Sequence, residues 1–208
     1  SIHEYKDVHV ALLTADGDSF SRGASDGTVI PFPDRLPFRC LELMAQPVIA
    51  CIQGDAVGAG LELALACDIR IAAAGATFSI RDVAAGAVPS AGATQRLPRL
   101  IGRGKASEMI LLGEPLDAQA ALACGLVNAV VPRDGLQAYA RALAERIAAQ
   151  GPIAVRYAKE AILRGLDMPL EQALRYETDL TVILQTTADR AEGVSAFLEK
   201  RPPQFEGK

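Results

Sequence analysis

Apolar residues follow two rhythms along this chain. Up to about residue 131 they come in short unbroken runs: residues 8–14 (VHVALLT), 47–52 (PVIACI), 68–73 (DIRIAA), 77–80 (TFSI) and 126–131 (LVNAVV). Runs this short, bounded by glycine, proline and aspartate, predict buried strands. Between them, residues 38–45 predict a short helix that stops before Pro47. Residues 28–37 carry three prolines and predict an irregular surface loop, as do the glycines and Pro89 of residues 81–92. Alternating strands and helices imply an α/β core with parallel strands.

The second rhythm is helical. Residues 104–112 predict a helix ended by Gly113, and Asp117 predicts the cap of a short helix ending at Gly125. Asp134 is expected to cap a helix with Leu136, Ala140, Leu143 and Ile147 on its apolar face. Further helices are expected at 153–164, from Pro169 behind an Asp167 cap to about Leu184, and after a capping box of Asp189 with Glu192. The shift predicts an α/β core at residues 1–133 and an all-helical region at 134–208.

The stretch 47–68 (PVIACIQGDAVGAGLELALACD) organises the rest. An apolar strand passes through a turn with Gly54, Gly58 and Gly60 into the helix formers 61–66. The first N–H groups of such a helix have no partner within it and point outward at its positive end. Glycines let another backbone or a ligand approach closely. The turn can therefore hold a developing negative charge, and Glu62 lies in the first helical turn beside it. One stretch thus offers an oxyanion site and an acid/base carboxylate. Glycine turns also serve packing alone, so this stretch by itself admits both readings. A dinucleotide fingerprint would need a third glycine where Leu63 stands, and no Gly-Lys-Ser/Thr of a phosphate loop follows.

Composition narrows the chemistry. The net charge of −4 argues against non-specific nucleic-acid binding. No apolar run is long enough for a membrane helix, and no secretory signal opens the sequence. The cysteines, Cys40, Cys51, Cys67 and Cys124, are scattered, which fits a reducing cytoplasm. The histidines, His3 and His9, sit together near the start of the sequence, which argues against a zinc site or a histidine triad. Acid/base work is left to carboxylates.

Several segments, in order, resemble the crotonase (enoyl-CoA hydratase/isomerase) superfamily: FSRGAS, PVIACIQGDAVGAGLELALACDIRIAA, AVPSAGATQRLPRLIGRGKASEMILLGEPLDAQAALACGLVNAVVP and DRAEGVSAFLEKRPPQF. The resemblance implies a ββα superhelix core, a C-terminal helical trimerisation region and a coenzyme A thioester substrate. It implies an oxyanion hole from the backbone N–H groups of Ala24 and Ala59. Glu62 and Asp82 would be the catalytic carboxylates, and the Ser90 amide would help to place water. Phe197 and Lys200 match positions near the adenine end of the coenzyme in a neighbouring subunit. No metal is implied, and no cofactor apart from the coenzyme A of the substrate.

The sequence departs from the family pattern at several points. Asp82 stands for glutamate, Ser90 for glycine, Ser25 for a common aspartate and Arg22 for a small residue. The family's early strand, helix and first coenzyme-binding turn would precede the segment matched at Val8, and the loop 26–37 is shorter than usual. The expected function is hydration of a 2-enoyl-CoA by a cytoplasmic homotrimer or dimer of trimers that binds neither nucleic acid nor membrane. The alternatives are an isomerase of the same superfamily and a non-catalytic oligomeric homologue.

Overall fold

The computed structural model describes residues 7–23 and 36–208. Ala24, Ser25 and most of the predicted loop 28–37 lie outside the described residues. The chain forms two compact units. One comprises Leu12–Met44 and Val48–Ala142; the other comprises Ser1–Ala11, Ala45–Pro47 and Leu143–Lys208.

The first unit is built from ββα turns. Strands β1 (Ala11–Leu13) and β2 (Val48–Ile52) are separated by helix α1 (Leu36–Glu42). After β2 come β3 (Ala56–Val57) and α2 (Ala59–Leu65), then β4 (Ile69–Ala73), β5 (Thr77–Ser79) and α3 (Ala93–Leu112). One sheet is ordered β1-β2-β4-β7, where β7 is Ala129–Val131. The second sheet is ordered β3-β5-β6, where β6 is Leu116–Asp117. β4 runs parallel to β2 with Ile69 beside Ile49, and β5 runs parallel to β3 with Phe78 beside Ala56. Each ββα unit therefore lies one strand across from the last in both sheets. All five residues of β2 are buried, which is why its sequence is a continuous apolar run rather than an alternation.

The span of α3 comprises two helical segments joined at a kink: the first starts at Ala93 and tolerates Pro98, and the second follows Gly102, where the helix expected at 104–112 lies, and ends at Gly113. Gly102 makes the break with non-helical angles (φ 77°, ψ 157°). Asp117 caps α4 (Ala118–Ala123) as predicted, its Oδ1 accepting the Ala120 N–H at 2.8 Å. Asp134 does not act as a cap; it lies in a 3-10 turn, Arg133–Gly135, before α5 (Leu136–Ala148).

In the second unit, α6 (Pro152–Gly165) packs against α7 (Leu170–Leu184). The Tyr176 hydroxyl donates to Glu160, and the Arg164 guanidinium lies 5.8 Å from the Tyr176 ring centre. Helix α8 (Ala188–Glu199) is capped by Thr187, whose hydroxyl accepts the Arg190 N–H at 3.2 Å. The predicted Asp189–Glu192 box does not form. Asp189 instead binds the chain terminus, accepting the N–H groups of Glu206 at 2.7 Å and Gly207 at 2.9 Å. Glu192 takes a two-pronged ion pair from Arg201, at 2.6 and 2.8 Å. Phe205 rests on Gly151 and Gly193. Among the described residues no helix is long and apolar enough to cross a membrane.

Candidate active site

The turn between β3 and α2 needs glycine for two different reasons. Gly58 has φ 54° and ψ −124°, a backbone shape that a side chain would strain. Its N–H donates to Ser79 O at 2.9 Å, and its carbonyl accepts the Glu62 N–H at 3.0 Å, which joins β5 to the first turn of α2. Gly60 is needed for space, because a Cβ there would stand 2.5 Å from the Ser21 carbonyl oxygen. Ser21 in turn accepts the Val57 N–H at 2.8 Å. These contacts draw the chain before Ala24 against α2. At Gly23, the position a Cβ would take lies 3.4 Å from the Ala59 nitrogen. Ala59 is the first residue of α2, and its N–H has no acceptor among the described residues. The Ala59 N–H expected to serve an oxyanion hole is thus left without an internal acceptor among the described residues, while Ala24, its expected partner, lies outside them.

Glu62 is buried, with 2% of its surface exposed. Its Oε1 accepts two main-chain N–H groups, from Ala91 at 2.9 Å and Ala93 at 2.8 Å. Both belong to the start of α3, so that helix's positive end faces the carboxylate. Oε2 accepts no hydrogen bond among the described residues. Burial pushes the Glu62 carboxyl above its ordinary value of 4.5. The Ala93 and Ala91 amides oppose the rise, the Asp82 carboxylate adds to it, and Arg96 opposes it.

Asp82 sits at the head of a 3-10 turn, Val83–Ala85. Its own carbonyl accepts the N–H groups of Ala85 and Ala87, at 3.0 and 2.9 Å. Its Oδ2 lies 3.7 Å from the position a Cβ on Gly58 would occupy. The two predicted carboxylates therefore flank one glycine turn, Glu62 deeply buried and Asp82 half-exposed. Ser90 is half-buried and directly precedes the Ala91 amide that binds Glu62. Phe38 and Leu41 of α1 pack with Ala59, Leu63, Ala66 and Ala91, setting an apolar wall beside these polar groups. Among the described residues no cluster of histidine, cysteine, aspartate and glutamate could hold a metal ion. Arg22 is a solvated loop charge, donating to Ser19 Oγ at 2.9 Å.

Phe197 and Lys200 belong to the other compact unit. Phe197 is 83% exposed, so it does not serve the packing of that unit. Lys200 ends α8 in the left-handed conformation (φ 57°, ψ 38°). Arg96, which the motifs did not single out, touches both the α3 start and Glu42 of α1. Its only sequence signal was its place inside the ATQRLPRL segment.

A model of the enoyl-CoA hydratase/isomerase family matches residues 2–208. The chain is 43% identical over 209 residues to 2,3-dehydroadipyl-CoA hydratase of Escherichia coli, covering 97% of this chain and 82% of that protein. It is 42% identical over 211 residues to short-chain-enoyl-CoA hydratase of Clostridium acetobutylicum, covering 96% and 81%. Among solved structures, an enoyl-CoA hydratase from Bacillus anthracis superposes with a TM-score of 0.94 at 42% identity, over 100% of this chain and 84% of that one. With its two sheets, glycine turn and C-terminal helices, the chain belongs to the enoyl-CoA hydratase/isomerase family of the crotonase superfamily, as an enzyme of the hydratase or isomerase kind.

Proposed function

We propose that the protein hydrates a 2-enoyl-CoA thioester. The observation that carries this reading is the pairing at Gly58: a buried Glu62 held through one oxygen, with no hydrogen bond to the other among the described residues, and Asp82 beside the same turn. Water adds its oxygen to C3 of the enoyl group, and the π electrons move through C2 onto the thioester oxygen. The Ala59 N–H, with that of Ala24, stabilises the resulting enolate. One carboxylate accepts the proton of the attacking water, and the other carboxyl returns a proton to C2 as the carbonyl re-forms. Two carboxyl groups in different environments suit these opposite tasks. Ser90, next to the Ala91 amide, helps to position the water. Coenzyme A enters as part of the substrate, and no separate cofactor or metal takes part.

Lys200 and Phe197 serve the adenine end of the coenzyme. A left-handed lysine costs roughly 1 kcal/mol that glycine would avoid, so folding alone does not explain it; Lys200 is the one non-glycine with positive φ among the described residues. Assembly as a homotrimer or dimer of trimers completes the reading. The apolar Leu166, Leu170, Val182 and Leu198 of the helical unit are all more than 60% exposed in the single chain. A stable monomer in sedimentation at micromolar concentration would contradict that assembly.

The shorter side chain of Asp82 supports a second reading, isomerisation by one carboxylate. Loss of the conjugated enoyl absorbance of crotonyl-CoA separates the two. Under the hydratase reading, Asp82→Asn and Glu62→Gln each lower turnover by roughly 10²–10⁴, and the double change costs far less than their product. A near-neutral Asp82→Asn beside a severe Glu62→Gln would sink the two-carboxylate mechanism in favour of one-base chemistry.

A further inference from the structure

Oε1 of Glu62 can be fixed only as well as the Ala91–Ala93 turn that grips it is fixed. The amide face of that turn points at Glu62, at 2.9 and 2.8 Å. The carbonyl face is held by Arg96, whose Nη1 donates to Ala91 O at 2.8 Å. The guanidinium meets the turn through its Nη1 tip: a Cβ on Gly92 would fall 2.0 Å from Nη1 and 3.0 Å from Cζ. The rest of the guanidinium is committed to α1, with Nε donating to Glu42 Oε1 at 3.2 Å and Nη2 to Oε2 at 2.8 Å. A planar fork bound on both prongs fixes orientation as well as distance, which a lysine cannot reproduce. The Arg96 side chain is 18% exposed and that of Glu42 36%, so the pair is only partly screened by water.

We propose that Arg96, fixed by Glu42, is a positioning residue for Glu62: it clamps the Ala91–Ala93 turn so that both amides converge on one carboxylate oxygen and leave the other free to work. The proposal rests on Glu62 acting in turnover. Charge reinforces the geometry. The charged groups that face Glu62 are Asp82 from the 3-10 turn and Arg96 from α3; α1 brings Glu42, which engages Arg96, and β3 brings none. Removing Arg96 both loosens the amide grip and deletes the cation that acts on Glu62 among the described residues, and each change lifts the Glu62 carboxyl further above its ordinary range.

The test compares Arg96→Met, Arg96→Lys and Glu42→Gln with the unchanged protein. Its readouts are kcat and KM on crotonyl-CoA across pH and the Glu62 carboxyl titration by ¹³C NMR, with Glu62→Gln identifying the resonance. Arg96→Met is expected to lower kcat by about 10²-fold, the cost of a misplacement near 1 Å, with KM nearly unchanged and the Glu62 titration moved to higher pH. Arg96→Lys restores most of the titration and little of kcat, since it keeps the charge without the fork. Glu42→Gln, at a half-exposed position that tolerates change, shifts kcat in the same direction by a smaller factor and decides the matter if Arg96→Met does not fold. Unchanged kcat and an unchanged Glu62 titration in a folded variant would overturn the proposal. Normal turnover in Glu62→Gln would instead overturn the hydratase reading, and the NMR titration would still judge whether Arg96 sets Glu62.

Discussion

Glu62 and Asp189 are both buried carboxylates that accept two main-chain N–H groups, one in each compact unit. Asp189 divides its amides between its oxygens, Glu206 N on Oδ1 and Gly207 N on Oδ2. Its own N–H donates to Lys208 O at 3.2 Å, so the whole residue is spent on strapping the tail to α8. Glu62 takes both amides on Oε1 and leaves Oε2 without a hydrogen bond among the described residues. Burial and hydrogen bonding alone do not separate a structural carboxylate from a working one. The separation lies in whether any oxygen is left over.

Amide substitutions break the comparison most sharply, because an amide keeps one acceptor and turns the other oxygen into a donor. Glu62→Gln can still present its single oxygen to Ala91 and Ala93. Turnover should fall by roughly 10²–10⁴ while the fold survives, measured as kcat beside a thermal melt. Ala59→Pro is expected to follow, with a loss of roughly 10²–10³ from removing one oxyanion donor. Proline is tolerated at the first position of a helix, so circular dichroism should show the fold intact; normal turnover in that folded variant would remove Ala59 from the site.

Asp189→Asn has the opposite signature. Its amide nitrogen must oppose one of the two N–H groups, leaving a part-buried donor unsatisfied at a cost of about 1 kcal/mol. Urea denaturation should register that loss, with far less change in kcat than in Glu62→Gln. An Asp189→Asn variant as stable as the parent would erase the contrast.

The smallest expected effect is a pH dependence. The folded-state value of Glu62 lies above 4.5, so the native state binds its proton more readily than the unfolded chain. That contribution to stability is present at low pH and is lost as pH rises from 4.5 through the raised value. Glu62→Gln should therefore melt higher than the parent at pH 8, and the gap should close by pH 4. A gap that widens toward acid would reverse the assignment.

Much of this was legible in the sequence where the cause is local. The β2–turn–α2 unit, Glu62 in the first helical turn and the Asp117 cap each follow from a few adjacent residues. The missed features depend on distant ones. Two-residue strands such as β3 and β6 have too few positions to show a period. The helical segment that opens α3 at Ala93 was hidden because Pro98 read as a breaker, whereas it is tolerated and the break falls at Gly102. Glu62's amide partners lie 29 and 31 residues downstream, and Arg96 reaches back 54 residues to Glu42. Asp189 resembled a helix cap in sequence because nothing in its neighbourhood announces that the tail returns.

The cysteines give α1 a practical use. Burial pushes the Cys51 thiol up to about 11, and Cys67 is buried as well, so neither is offered to a thiol reagent in the native protein. Cys40 is exposed on α1, two residues before Glu42, and Cys124 is only half-exposed. A maleimide fluorophore should therefore attach first to the helix that anchors Arg96. The unmodified sequence supplies its own reporter, and a change in that dye's emission on adding a thioester would show whether α1 shifts when substrate arrives.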